Sequence, residues 1–94
     1  MFASIRRYRI SDPEQVRRSV EVGFIPILRK QPGFVSYHLV HAGKETMVSI
    51  TDFQTREGAE SSNRLAAAWI AENVAALVQG RPDFTDGEVV AHAA

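Results

Sequence analysis

Apolar positions recur along this chain either at every second residue or at every third and fourth, and each change of spacing marks an element. The segment Phe2 to Ile10 reads as a strand with two open registers. Phe2, Ser4, Arg6, Tyr8 and Ile10 share one face, and Ala3, Ile5, Arg7 and Arg9 the other. The alternation does not say which face is interior. If Arg6 points inward, it becomes an anchor for an anion or a carbonyl. Ser11-Asp12-Pro13-Glu14-Gln15 is a helix start. Asp12 suits the N-cap, Pro13 suits the first helical position, and Ser11 with Glu14 forms a competing capping box. Val16, Val20, Phe24, Ile27 and Leu28 then mark one apolar stripe. Pro26 cannot donate to the carbonyl of Val22, which predicts a kink or break near it, and Pro32 ends the element by Gln31.

Pro32-Gly33 signals a turn. The β-branched and aromatic run Phe34 to His41 predicts a strand, residues 42–45 a short connection, and Thr46 to Phe53 a partner strand. Thr55 to Leu77 reads as the longest helix, with Thr55 as N-cap and the face Ala59, Ser62, Ala66, Trp69, Ile70, Asn73 and Leu77. Polar Ser62 and Asn73 beside the only tryptophan fit a core with satisfied polar groups or the wall of a small-molecule pocket. Gly80-Arg81-Pro82 is the expected stop for this helix. Phe84 to Ala91 is the expected last strand, at a sheet edge or bulged because of Asp86-Gly87.

The order βαββαβ predicts a ferredoxin-like α+β protomer: a four-stranded antiparallel sheet with two helices on one face. The other face is left bare, and a chain of 94 residues forms a single domain, residues 1–94, that buries only about two-thirds of its unfolded surface. A homodimer with its sheets facing each other resolves this as a barrel-like core.

Composition narrows the function. Eleven basic residues balance eleven acidic ones, which argues against nucleic-acid binding. The chain has no cysteine, so disulfides, thiolate metal sites and cysteine nucleophiles are excluded, and a reducing cytoplasm is the expected setting. The N-terminal MFASIRRYRI lacks the apolar core of a signal peptide, and no apolar run approaches the roughly 20 residues of a membrane span.

Pro32-Gly33-Phe34-Val35-Ser36-Tyr37, the strand ending at Phe53, and residues 60–73, ESSNRLAAAWIAEN, resemble the antibiotic biosynthesis monooxygenase-like group of the dimeric α+β barrel superfamily. The resemblance spans nearly the whole chain in element order and length. It implies a homodimer and, in the branch that gives the group its name, cofactor-free oxygenation of polycyclic aromatic molecules. A haem-degrading branch resembles the chain in fold but uses a histidine on the long helix. The matching position falls near Glu72, no histidine stands between residues 42 and 91, and Arg6 or Arg7 occupies the first-strand asparagine region. Haem degradation is therefore not expected.

A metal site is not expected either. His38 and His41 stand three apart on a strand and so face opposite ways, and His92 lies in the tail. No Gly-x-Ser-x-Gly turn surrounds a serine. Cofactor-free oxygenation needs an aromatic cage, exclusion of water and the transfer of one proton. Trp69, Tyr8, Tyr37, Phe24 and Phe34 are the candidate walls. Asn63, Asn73 and Arg6 are candidate donors, and His38 is the candidate catalytic base because histidine is the side-chain type suited to proton transfer at neutral pH. No cofactor is implied. A small aromatic ligand is the expected partner, with no nucleic acid and no membrane. Two further readings stay open: a non-catalytic small-molecule-binding module, and a dimeric scaffold without a cavity.

Overall fold

A computed structural model describes residues 1–94. Strand β1 (Phe2–Ile10) leads into a helical arm of α1 (Pro13–Ser19), a π-helical turn (Val20–Phe24) and α2 (Ile25–Arg29). The hairpin β2 (Phe34–His41) and β3 (Thr46–Phe53), the long helix α3 (Arg56–Asn73), a 3₁₀ turn (Ala75–Leu77) and β4 (Val78–Glu88) follow. The strands form one antiparallel sheet in the order β2-β3-β1-β4, so β1 and β3 are central. This is the expected ferredoxin-like α+β architecture.

The caps follow the local sequence. The Asp12 side chain accepts from Gln15 N–H at 3.2 Å, and its positive φ of 50° is one that Asp tolerates. Thr55 Oγ1 accepts from Gly58 N–H at 3.1 Å. The helical arm bends without breaking. Ile25 N–H donates to the carbonyl of Val20, five residues back, so the helix widens by one residue just before Pro26, which has no N–H to offer. The widening also explains the apolar stripe. Residues spaced by four drift about 40° per step around a regular helix, or about 120° from residue 16 to residue 28. A π turn offsets part of that drift, and Val16, Val20, Phe24 and Leu28 all stay buried. Ile27, expected on this stripe, is turned outward and is 40% exposed, whereas Leu28 is 0% exposed.

The final third departs most from expectation. The long helix ends at Asn73, not Leu77, and buried Val74 caps it in a non-helical conformation. The 3₁₀ turn brings Leu77 beside Ser11, whose N–H donates to the Leu77 carbonyl at 2.8 Å. Gly80-Arg81-Pro82 therefore lies within β4 and does not stop the helix. Arg9 pairs with Gln79 and Arg7 with Asp83, so residues 80–82 stand opposite Tyr8 as a bulge. Gly80 takes a φ of 70°, and Pro82 is tolerated because β4 is an edge strand. Gly87 pairs in register with Ala3, so the bulge lies upstream of its expected place, and β4 ends at Glu88, short of Ala91.

Pairing settles the registers. Ser4, Arg6, Tyr8 and Ile10 face the helices and are buried, as are Met47, Ser49, Thr51 and Phe53 of β3. The opposite sheet face presents Ile5, Val40, Val48 and Ile50, with Ile5 and Val40 exposed. No helix is long and apolar enough to cross a membrane.

Candidate functional site

Between the sheet and the helices lies a narrow cavity of about 30 Å³, space for about two waters. Its lining is almost wholly apolar and aromatic, with Arg6 and Ser49 at the sheet. Phe24, brought inward by the π turn, packs edge-on to Tyr37 of β2 at 5.7 Å and against Trp69 of α3 at 5.4 Å. Tyr8 and Ala66 complete this part of the wall. Gly23 lets the helical arm approach the indole: a Cβ there would stand 3.2 Å from Trp69 Cζ2. Phe34, an expected wall, instead stacks edge-on with Phe53 at 5.9 Å, beyond the cavity.

Arg6 is the unusual member. Its residue is 1% exposed, yet no carboxylate touches it. Nε donates to Ser49 Oγ at 3.0 Å, Nη2 to Thr51 Oγ1 at 2.8 Å, and Nη1 to Asn63 Oδ1 at 2.8 Å and the Ser62 carbonyl at 3.4 Å. All four acceptors are neutral, and a guanidinium has five N–H donors, so one on Nη2 is unclaimed. The nearest acidic support is one residue removed. Asn63 Nδ2 donates to Asp86 at 2.9 Å, and the Ser4 hydroxyl bridges Asp86, at 2.7 Å, and Asn63.

Tyr8 and Tyr37 have raised pKa values, chiefly because burial disfavours the phenolate. The Arg6 charge and a Ser49 hydroxyl interaction oppose this only partly at both, and Tyr8 adds to the rise at Tyr37. Both phenols are therefore neutral near pH 7.

Of the residues expected at a site, the fold brings Trp69, Tyr37, Tyr8, Phe24 and Arg6 onto one cavity. Asn63 stands behind Arg6 as its acceptor, outside the lining. Two expectations are corrected. His38 pairs with Ile50 on the far sheet face, exposed and separated from the cavity by the sheet itself. Asn73 is exposed, and its Nδ2 donates to the Trp69 carbonyl at 2.9 Å, closing the end of α3. Ser4, Ser49, Thr51 and Asp86 were missing from the expected set. Their signal was the polar alternation of Ser4-Arg6 and Ser49-Thr51, which gains meaning only once β1 and β3 are paired. No cluster of three His, Asp or Glu side chains is placed to hold a metal.

No protein-family model matches the sequence, and no curated protein does. Solved structures match in fold. A Nitrosomonas europaea protein of unknown function, NE2512, superposes with a TM-score of 0.80 at 19% identity, covering 99% of this chain and 92% of that one. A second protein of the same organism, assigned provisionally to the antibiotic biosynthesis monooxygenases, gives 0.75 at 12% identity over 97% and 100% of the two chains. The fold is that of the antibiotic biosynthesis monooxygenase-like proteins. SnoaB, a cofactor-independent oxygenase from Streptomyces nogalater, belongs with these matches at a TM-score of 0.72 and 17% identity, over 97% of this chain and 94% of that one. The resemblance carried by residues 32–37 and 60–73 thus agrees with the three-dimensional match of the monooxygenase-like fold.

Proposed function

We propose that the protein is a homodimer that binds a small aromatic or polyketide-like molecule in the cavity under its helices and oxygenates it without a cofactor. The observation that carries this reading is the aromatic wall of Phe24, Tyr37 and Trp69 standing with a buried, carboxylate-free arginine in one apolar cavity. A fold shared with a cofactor-independent oxygenase supports it at the level of the scaffold. In the chemistry proposed, an ionised phenol gives one electron to O₂, and the resulting radicals combine at ring carbon. The peroxide anion so formed takes a proton from water, and the hydroperoxide then loses water, so that phenolate, a proton and O₂ become quinone and water. Trp69, Phe24 and Tyr37 hold the ring and exclude water, while Arg6 holds the phenol oxygen with Asn63 behind it.

Ligand pockets commonly span about 300–1,000 Å³, so the cavity is shut as it stands and a ligand must displace its cover. In this proposal the helical arm, two short helices joined by the π turn, is the part that moves. The second reading, a binding module without catalysis, draws on the lack of any carboxylate or imidazole in the lining. Haem degradation is not proposed, because α3 carries no histidine.

Oxygen uptake with simple hydroquinones and anthrone-like phenols, measured in metal-free buffer, tests the enzymatic reading. Stoichiometric O₂ consumption that is lost in Trp69→Ala supports it. Saturable binding without O₂ consumption selects the binding module. His38→Ala is expected to leave turnover unchanged within twofold, because the sheet separates residue 38 from the cavity.

A further inference from the structure

The geometry points to a ligand site in two parts. The cavity under the helices takes an aromatic ring, and an outer groove between α1 and the β2–β3 hairpin takes an uncharged polar arm on that ring. Met47 is the shutter between them. This inference rests on the proposed ligand site and adds its route of entry and the shape of what it takes.

The cavity of about 30 Å³ is far smaller than the roughly 300 Å³ or more of a common ligand site. A groove of about 340 Å³ lies directly outside it, lined by Pro13, Glu14 and Arg17 of α1 and by Leu39, His41 and Met47 of the hairpin. Leu39 and Met47 line the cavity as well. The sheet register accounts for this double position. On the face toward the helices, His41 pairs with Met47, and Met47 with Tyr8. That row starts in the groove at His41 and ends in the cavity at Tyr8. Met47 stands between them and is 3% exposed. Methionine is unbranched, with three rotatable side-chain bonds, so it can swing aside without a change of backbone. A groove at the β4 bulge also touches Tyr8, but Arg7 and Arg9 of the far sheet face line it, so strand β1 itself intervenes.

The rim of the groove sets the chemistry of the arm. Glu14 and Glu21 both bond Arg17, so two carboxylates stand against one guanidinium. An anionic arm is repelled there on balance, whereas a hydroxyl group can donate to Glu14 or meet the His41 imidazole. Deeper in the groove, Pro13, Leu39 and Met47 give the carbon atoms of the arm apolar contact.

The test follows the fluorescence of Trp69, the only tryptophan, which stands in the cavity wall. The probe is 4-nitroanisole, an uncharged nitroaromatic quencher, mixed rapidly with the protein. Met47→Ala should speed its association about tenfold, because the shutter no longer limits entry. The chain has no cysteine, so a single one can be placed and capped. His41→Cys carrying N-cyclohexylmaleimide should slow association about tenfold or block it, whereas Ser61→Cys with the same cap, at an exposed position of α3, should match wild type. For the arm, 2-(4-nitrophenoxy)ethanol should bind at least as tightly as 4-nitroanisole, and 4-nitrophenoxyacetate about threefold more weakly in low-salt buffer. Unchanged association in folded Met47→Ala overturns the shutter, and unchanged association in capped His41→Cys overturns the route. Tighter binding of the acetate overturns the assignment of the arm. If circular dichroism shows that Met47→Ala does not fold, capped His41→Cys decides. Saturable quenching that none of these changes alters defeats this inference and keeps the cavity as a ligand site. No saturable quenching in any of the proteins defeats the ligand site itself.

Discussion

At the scale of single residues, the site depends on groups whose surroundings leave them little freedom. Gly58 is one. A Cβ there would stand 2.7 Å from Cδ1 of Phe53, a ring that is 1% exposed and cannot move aside. Gly58→Ala should therefore destabilise the fold by about 1–3 kcal/mol, in spite of the roughly 1 kcal/mol that alanine ordinarily adds to a helix. Urea unfolding would show the net sign. The tyrosines give a pH dependence. Burial raises the pKa of Tyr37 in the folded state, so its ionisation favours the unfolded chain. Below the ordinary phenol value near 10 both states are protonated and stability is unaffected. Above it the unfolded state loses the proton first and stability falls. The urea midpoint should drop more steeply above pH 10 in wild type than in Tyr37→Phe. Equal slopes would mean that Tyr37 is not buried as described.

At the scale of elements, the helical arm decides the cavity. On a regular helix Val16 and Leu28 would drift apart; the π turn before Pro26 offsets part of that drift, and Phe24 packs against both Tyr37 and Trp69. Leu28 and Ile27 are adjacent in sequence and opposite in environment. Leu28→Ala should cost about 2–5 kcal/mol, as for a buried leucine that leaves a cavity, whereas Ile27→Ala should cost under about 1 kcal/mol. Comparable losses in thermal unfolding would mean that the arm is phased differently. The end of α3 teaches the same lesson from the other side. Asn73 lies on the helical face predicted from spacing, but the helix closes at that residue and its side chain turns back to the Trp69 carbonyl.

At the scale of the whole molecule, the helices cover one sheet face and leave Ile5, Val40, Val48 and Ile50 on the other. The two central strands carry three of these residues, so the apolar patch sits in the middle of the sheet and not at an edge. A sheet-to-sheet homodimer would bury it, with stable interfaces taking about 800 Å² from each partner. Native mass spectrometry should give a dimer, and Ile50→Lys should give a folded monomer by placing an unpaired charge in the interface. A wild-type monomer at micromolar concentration would refute the proposed assembly.

The sequence by itself determined the order and type of the elements, the N-cap at Thr55, the turn at Pro32-Gly33 and the aromatic residues available for a site. These signals are local: a cap, a turn or an alternation is read within a few residues of itself. It could not choose the buried face of β1, because Phe2 to Ile10 mixes polar and apolar residues on both faces. That choice fell to pairing, which aligns Ser4 and Arg6 with Thr51 and Ser49. Nor could it place His38, since residue type says nothing about which way a strand residue points. Gly80 and Pro82 read as a helix stop, but Val74, Leu77 and Val78 had already turned inward to pack against the core, so the same residues became a bulge on an edge strand. What tertiary structure alone decided is the burial of Arg6 among neutral acceptors with Asp86 held one residue away. That arrangement joins residues from β1, β3, α3 and β4, and no stretch of sequence contains it.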